Sequence, residues 1–236
     1  MEKFMIISHK NKFIFIKTKK VGGTSLELAL ASICGDDDII TPTSDEDIRK
    51  QLNFRGPQNY LNTNKDLGKK GTLKVMFGLK KRHEKYLRHY SCQRILDKIG
   101  PEIWNNYYKF TVMRNPYDFI VSHYYSSKRD QSFEDYIMKN PDHLLTNWKI
   151  ITDNKNQVMV DQIIKYESYE EGLDIFSKKI NLDDNIFKIF KNISAKTDRR
   201  PSGSTFEKMF KNFDEGKRLV ELLNSKEFSI GNYSKL

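Results

Sequence analysis

Segment 17–25, with the sequence KTKKVGGTS, contains residue types that could hold an anion. Its two glycines, Gly22 and Gly23, would let the backbone approach a ligand closely. A helix starting after them would offer free N–H groups and the positive end of its dipole, and Lys20 would add a full charge. The lysine precedes the glycines, whereas a Walker A sequence places it after its second glycine, so an ordinary ATPase loop is not predicted.

A second group of residues with suitable chemistry begins at Arg114, in the sequence RNPYD. An arginine guanidinium can donate two parallel hydrogen bonds to one phosphate, and Ser122, eight residues later, could add a hydroxyl donor. A different interpretation stays open, in which Arg114 pairs with Asp118 and only ties off the start of a helix. Together, the two segments could hold two phosphate groups.

Each segment lies between a predicted strand and a predicted helix. Residues 13–16 form an apolar run typical of a buried strand, and apolar residues at helical spacing predict a helix over 24–34 that ends at Gly35. The run 109–113 predicts another strand, with Asn115 capping the helix that follows. Both segments should therefore lie at strand ends.

The rest of the chain continues this alternation. A third strand is predicted near 161–166, and Ser168 with Glu171 forms a capping-box sequence ahead of a helix. Capping and apolar periodicity predict further helices over 133–139 and 214–223. Alternating strands and helices predict an α/β fold with three layers, α/β/α, around a central, mainly parallel sheet.

One domain, residues 1–236, is predicted from the length and from the lack of internal repeats. Segment 36–72 differs from the rest, since it is rich in Asp, Asn, Gly and Lys and has few periodic apolar residues. We expect a long, loop-rich excursion there. An excursion of this length could recognise an acceptor or could be a plain surface loop.

The composition predicts a folded, basic protein. The chain has 41 Lys plus Arg against 31 Asp plus Glu, a net charge of +10, and 38% hydrophobic residues. The charge indicates an anionic partner without naming it. Cys34 and Cys92 stand far apart with no Cys/His cluster, so neither a disulfide framework nor a metal site is predicted. The sequence shows no signal-peptide core and no bilayer-spanning apolar stretch, so we expect a cytoplasmic protein.

Taken together, the two anion-binding segments resemble those of the sulfotransferases that use 3′-phosphoadenosine 5′-phosphosulfate (PAPS). In that family, a Lys-x-Gly-[GT]-[TS] loop binds the 5′-phosphosulfate, and a later strand ending in Arg, with Ser eight residues on, binds the 3′-phosphate. The residues of this chain that match the two patterns are Lys20, Gly22, Gly23, Thr24 and Ser25 for the first, and Arg114 and Ser122 for the second.

A third, later match is the basic pair Arg199 and Arg200, which looks like the family's loop over the 3′-phosphate and adenine. Two positions depart from the pattern. Lys19 replaces a proline, and Ser25 stands where the cytosolic branch has an adenine-stacking Trp. The chain therefore resembles the bacterial and carbohydrate-type branch more closely, through positions scattered from about residue 13 to residue 210.

The resemblance implies a P-loop NTPase-like fold and an enzyme that moves a sulfuryl group from PAPS to a hydroxyl or amine of an acceptor such as a carbohydrate. Transfer needs a base for the acceptor proton and positive charge for the leaving phosphate, but no metal ion. Lys20 would supply the charge. His89, in a His-x-Ser segment like that of the family, is the predicted base, with His83 next, while His123 is interpreted as structural.

Two other functions stay open at this point. A nucleotide phosphotransferase (a kinase) could use the same loop, but it would require Mg²⁺ and an acidic ligand, for which Asp161 is the one candidate. A nucleic-acid-binding protein would account for the charge and for basic runs such as 80–82. No helix-turn-helix, RNP or zinc-finger pattern supports that interpretation, and nucleic acid is not a predicted partner.

Overall fold

A five-stranded sheet forms the centre of the protein, with the strand order β3-β1-β2-β4-β5. The computed structural model describes residues 5–43, 45–83, 85–86, 90–127, 130–139, 141–183, 186–193 and 200–236. The strands are β1 (Ile6–Ser8), β2 (Phe13–Ile16), β3 (Ile39–Ile40), β4 (Tyr108–Met113) and β5 (Gln162–Lys165). β2, β4 and β5 pair in parallel. β1 is antiparallel to β2 and to β3, so four strands point the same way and the mainly parallel sheet is confirmed.

Helices make up most of the remaining described structure. In chain order they are α1 (Gly23–Ala31), α2 (Glu46–Gln51), α3 (Asn64–Met76), α4 (Cys92–Asn106), α5 (Pro116–Ser126), α6 (Phe133–Lys139), α7 (Trp148–Ile151), α8 (Tyr169–Lys179), α9 (Ile186–Lys191), α10 (Phe206–Met209), α11 (Asp214–Leu223) and α12 (Ser225–Gly231). Within the described ranges, none of them has the length and apolar character needed to cross a bilayer.

Helices lie against both faces of the sheet. Side chains alternate between faces along a strand, and in β2 Phe13 and Phe15 belong to one buried cluster while Ile14 and Ile16 belong to the other. The first cluster is closed by α1, α8 and α9, and the second by α4 and α7. A third cluster joins α5, α6, α10, α11 and α12. The sheet therefore holds the ends of β2 and β4 on a support buried from both sides.

Several predicted elements have the predicted bounds, and others differ for local reasons. The strand over 13–16 and the helices over 133–139 and 214–223 are confirmed. α1, predicted to reach residue 34, ends at Ala31, and the Gly35 N–H donates to the Asp38 carboxylate instead of closing the helix. The capping box predicted before α8 is wrong. Ser168 makes no side-chain capping bond there, because residues 166–168 form a 3₁₀ turn.

The segment 36–72 carries more regular structure than its composition predicted. It contains β3, α2 and the first part of α3. β3 has two residues, lies at the edge of the sheet and pairs with β1, and an isolated bridge joins Ile40 to Gln58. These elements are too short, or in the case of α3 too exposed, to leave an apolar periodicity in the sequence.

Candidate functional site

The two predicted anion-binding segments meet at the carboxyl ends of β2 and β4. The parallel register pairs Ile16 with Thr111, which brings the ends of the two strands side by side. Segment 17–22 follows β2, and Arg114 follows β4 directly. The Arg114 Nη1 donates a hydrogen bond to the Lys20 carbonyl oxygen at 2.8 Å. Such carboxyl ends are where open α/β sheets bind ligands.

The backbone of the first loop has the conformation that an anion site needs. Lys20 and Gly22 both have positive φ, 60° and 64°. Gly22 is the N-cap of α1 and provides no side-chain cap, so among the described residues the first N–H groups of the helix stay available to a ligand. A Cβ on Gly23 would lie 2.9 Å from the Lys17 Cε, so this position accepts only glycine without a shift.

Side chains distant in sequence fix this loop in place. The Asn147 amide binds both sides of the Lys19 peptide backbone, accepting from the Lys19 N–H at 2.8 Å and donating to the Lys19 carbonyl at 3.0 Å. The buried Tyr169 hydroxyl donates to the Val21 carbonyl. Sequence reasoning missed both side chains, because a lone Asn or Tyr carries no periodicity or motif. Because these contacts hold the loop in place, binding a ligand there would cost less conformational entropy than ordering a mobile loop.

The Asp118 carboxylate joins two arginines at the edge of the loop. It accepts hydrogen bonds from the Arg114 Nε at 2.7 Å and from the Arg200 Nη1 at 2.5 Å. The predicted Arg114–Asp118 pair is therefore present, and the same carboxylate brings the later basic segment to the site. The Arg114 guanidinium also lies over the Tyr166 ring, 4.2 Å from its centroid, in a cation–π contact.

The other predicted binding residues occupy α1, α5 and the later segment. Thr24 is half-buried at the start of α1 and accepts a hydrogen bond from the Lys17 Nζ at 3.4 Å, and Ser25 beside it is buried. Ser122 is half-buried on α5. Arg199 lies outside the described residues. The structure thus links Lys20, Arg114 and Arg200 through the Lys20 carbonyl and the Asp118 carboxylate.

The histidines are spread over different parts of the fold. His89, the predicted base, lies outside the described residues. His83 is exposed, and its carbonyl accepts the Asn62 N–H at 2.9 Å. His123 shares a hydrogen bond with the Tyr136 hydroxyl and stacks on Phe119. These contacts agree with the structural role predicted for His123.

Asp161, the candidate Mg²⁺ ligand of a phosphotransferase, lies at the opposite ends of the strands from the loop. It precedes β5, and its carboxylate accepts the Lys109 N–H near the start of β4 at 2.7 Å. The amino ends of the parallel strands are on that side. Over the described ranges, no group of three or more His, Cys, Asp and Glu residues could hold a metal ion.

A buried cluster of charges lies beside the loop. The Lys17 Nζ donates to the Glu27 Oε2 at 3.0 Å, and the Glu27 Oε1 is buried and has no hydrogen-bond partner among the described residues. Arg49 is fully buried and pairs with Glu46 at 3.0 Å. Burial raises the pKa of Glu27 from 4.5 to about 7, against the opposing effect of the Lys17 and Arg49 charges.

Glu27 should make the stability of the fold depend on pH. Its pKa is higher in the folded state, so the stabilisation is complete below about pH 4.5 and is lost as the pH rises through about 7. Urea unfolding measures the free energy of unfolding of the wild type and of Glu27→Gln. The wild-type value minus the Glu27→Gln value should fall by about 3 kcal/mol as the pH rises across this range. The exposed Glu134→Gln is the matched control. An unchanged difference for Glu27→Gln would contradict the assignment.

Comparison with known proteins identifies a related protein but no activity. An uncharacterized protein of Archaeoglobus fulgidus is 30% identical over 99 residues, which cover 39% of this chain and 82% of that protein. No family model matches the chain, and no solved structure matches it.

Proposed function

The chain belongs to the same family as this uncharacterized protein of Archaeoglobus fulgidus, and we propose that it is a sulfotransferase with a P-loop NTPase-like fold. It would transfer the sulfuryl group of PAPS to a hydroxyl or amine of an acceptor such as a carbohydrate. The supporting observation is the contact between Arg114 and the Lys20 carbonyl at two adjacent strand ends, with Arg200 joined through Asp118. Two separate phosphate-binding groups would then face one ligand.

The residues present fit a nucleotide with two phosphate groups. The uncapped N–H groups of α1, Lys20 and the Thr24 hydroxyl would hold the 5′-phosphosulfate. Arg114, Arg200 and the Ser122 hydroxyl would hold the 3′-phosphate. Among the described residues, Arg114 contacts Lys20 and Asp118 with one N–H from each of its three nitrogens, which leaves two of the five guanidinium N–H groups for a ligand.

The proposed reaction replaces the sulfur–oxygen bond of PAPS by a bond from sulfur to the acceptor oxygen or nitrogen. The acceptor oxygen or nitrogen attacks sulfur and gives its proton to a base, while the bond from sulfur to the bridging oxygen of PAPS breaks. The electron pair of that bond stays on the 5′-phosphate. Lys20 and the N–H groups of α1 would stabilise the charge that develops there.

The phosphotransferase alternative receives less support from the geometry. A kinase needs an acidic ligand that places Mg²⁺ beside the transferred phosphoryl group. Asp161 lies beyond the amino ends of the strands, paired with Lys109 at 2.8 Å. The carboxylates that the structure describes beside the loop already have partners. Asp118 binds two arginines, Glu27 binds Lys17, and Glu167 accepts the Asn115 N–H.

Thermal unfolding with added ligands tests the proposal. We expect 3′-phosphoadenosine 5′-phosphate to raise the melting temperature, because a ligand at 100 times its Kd stabilises the native state by about 2.7 kcal/mol. ATP with Mg²⁺ and a DNA duplex at two salt concentrations serve as comparisons. Stabilisation by ATP without stabilisation by the bisphosphate would overturn the proposal in favour of a phosphotransferase.

Replacement of His89 by alanine should separate catalysis from binding. We expect sulfuryl transfer from PAPS to fall by roughly 10² to 10⁴-fold, the usual contribution of a general base, with bisphosphate affinity nearly unchanged. His83→Ala tests the other candidate. His9→Ala is the matched control, since His9 binds the Tyr107 hydroxyl at the opposite ends of the strands from the loop. A loss of bisphosphate affinity in His89→Ala as large as its loss of transfer rate would argue against His89 as the base.

A further inference from the structure

Residues 60–83 form a projection that we call the basic arm. Its two ends are joined by hydrogen bonds, from the Asn62 N–H to the His83 carbonyl at 2.9 Å and from the Arg82 Nη1 to the Asn62 carbonyl. The Thr63 hydroxyl accepts the Asp66 N–H and caps α3, which occupies the middle of the arm. The ends of the arm are thus closed on each other.

The middle of the basic arm exposes apolar side chains. No residue of α3 is buried. Leu73 is 51% exposed, and Met76, Phe77 and Leu79 are each 74% to 77% exposed. Leu73, Met76 and Phe77 follow a spacing of three and four residues, which puts them on one side of the helical stretch. Clustered apolar exposure of this kind marks an interaction surface.

The same stretch carries most of the excess positive charge of the chain. Between residues 64 and 82 there are seven Lys and Arg residues against one Asp, a net charge of +6 out of +10 for the whole protein. The single acid, Asp66, already pairs with Lys85 at 2.9 Å. Lys69 and Lys70 lie one helical turn before Leu73, and Lys74 lies one turn before Phe77. Cations and apolar side chains therefore share one surface.

We propose that the basic arm docks on the surface of a bilayer that contains anionic phospholipids. Exposed apolar groups beside lysines are the composition of segments that lie in the membrane interface, where the apolar groups enter the headgroup region and the cations contact lipid phosphates. Lysine stems can lie along the apolar layer while their charges stay at its surface. This inference is independent of the proposed sulfotransferase activity.

A nucleic acid would match the charge but not the apolar side chains. Nucleic-acid interfaces are polar and strongly positive, and their affinity comes largely from phosphate contacts. Leu73, Met76 and Leu79 would gain little from such a partner, whereas a bilayer would remove them from water. The observations therefore favour the lipid surface.

Vesicle flotation of the full chain tests the docking surface. We expect binding to vesicles of phosphatidylcholine with phosphatidylglycerol, weak binding to phosphatidylcholine alone, and loss of binding as NaCl is raised. Each lysine near an anionic surface is worth about fivefold in affinity. The double variant Lys69→Glu/Lys70→Glu should therefore lower binding by more than about 25-fold, and Phe77→Asp/Leu79→Asp should lower it comparably.

Melting temperatures and a variant outside the basic arm control the vesicle experiment. Because α3 has no buried residue and the Phe77 and Leu79 side chains are largely exposed, both arm variants should keep the wild-type melting temperature. Leu222→Asp/Lys226→Glu changes an apolar and a basic residue that are exposed elsewhere, and its binding should stay at the wild-type level. Wild-type binding by either arm variant would overturn the proposal. Binding of a DNA duplex through the arm, with no vesicle binding, would overturn it in favour of nucleic acid.

Discussion

Replacement of Arg114 by alanine is expected to weaken 3′-phosphoadenosine 5′-phosphate binding by about 100-fold, the scale of a lost hydrogen bond to a charged group. The variant also loses the hydrogen bond to the Lys20 carbonyl at 2.8 Å and leaves Asp118 without one of its two arginines. The loop would be less well held, and the partly unpaired Asp118 carboxylate would repel the phosphate. Isothermal titration calorimetry measures the affinity.

Two further variants show whether the effect belongs to this guanidinium. Arg114→Lys keeps the charge, but a single ammonium cannot reach the Lys20 carbonyl, Asp118 and a phosphate together, so most of the affinity should stay lost. Arg55→Ala removes an arginine that pairs with Asp36, away from the loop, and should bind normally. Wild-type affinity in Arg114→Ala would remove the 3′-phosphate site from the proposal.

Replacement of Lys20 by alanine should lower the rate of sulfuryl transfer by about 10² to 10³-fold, the loss seen when one stabilising donor of a transition state is removed. Bisphosphate affinity should fall as well, because the same charge faces the ground-state phosphate. Initial rates with PAPS and a generic hydroxyl or amine acceptor measure the first effect, and calorimetry measures the second.

Lys19→Ala is the matched control for Lys20→Ala. The Lys19 side chain is exposed, and its contacts with Asn147 involve only the backbone N–H and carbonyl. The substitution therefore removes a neighbouring charge and keeps the loop in place. We expect less than a threefold change by the usual behaviour of exposed charges. Equal losses in the two variants would mean that general positive charge, rather than the position of Lys20, governs the reaction.

The parts of the fold that could be predicted from the sequence are those with a local pattern. Strand β2 and helices α6 and α11 have the predicted bounds because apolar spacing and capping residues are short-range signals. Strands β1 and β3 have three and two residues, too few for a period-two pattern. Helix α3 buries no side chain, so it has no apolar face for a sequence to reveal.

The candidate site was predictable in its residue types but not in its connections. The glycine-rich loop and Arg114 carry motifs of their own, and their approach follows from parallel strands whose ends meet at one edge of the sheet. The link from Asp118 to Arg200 spans 82 positions, and that from Asn147 to Lys19 spans 128. Such contacts depend on how separate helices pack, and a single sequence does not encode that packing locally.

The Asp118 carboxylate also has a consequence for selectivity. It binds Arg114 and Arg200 with hydrogen bonds of 2.7 and 2.5 Å, so the two cations already have an internal counter-ion. A small anion such as chloride or inorganic phosphate must compete with this carboxylate and gains nothing elsewhere. A larger ligand that also reaches the start of α1 adds contacts which offset the competition. On the proposed function, we expect this internal counter-ion to disfavour abundant small anions while it holds the two arginines in place.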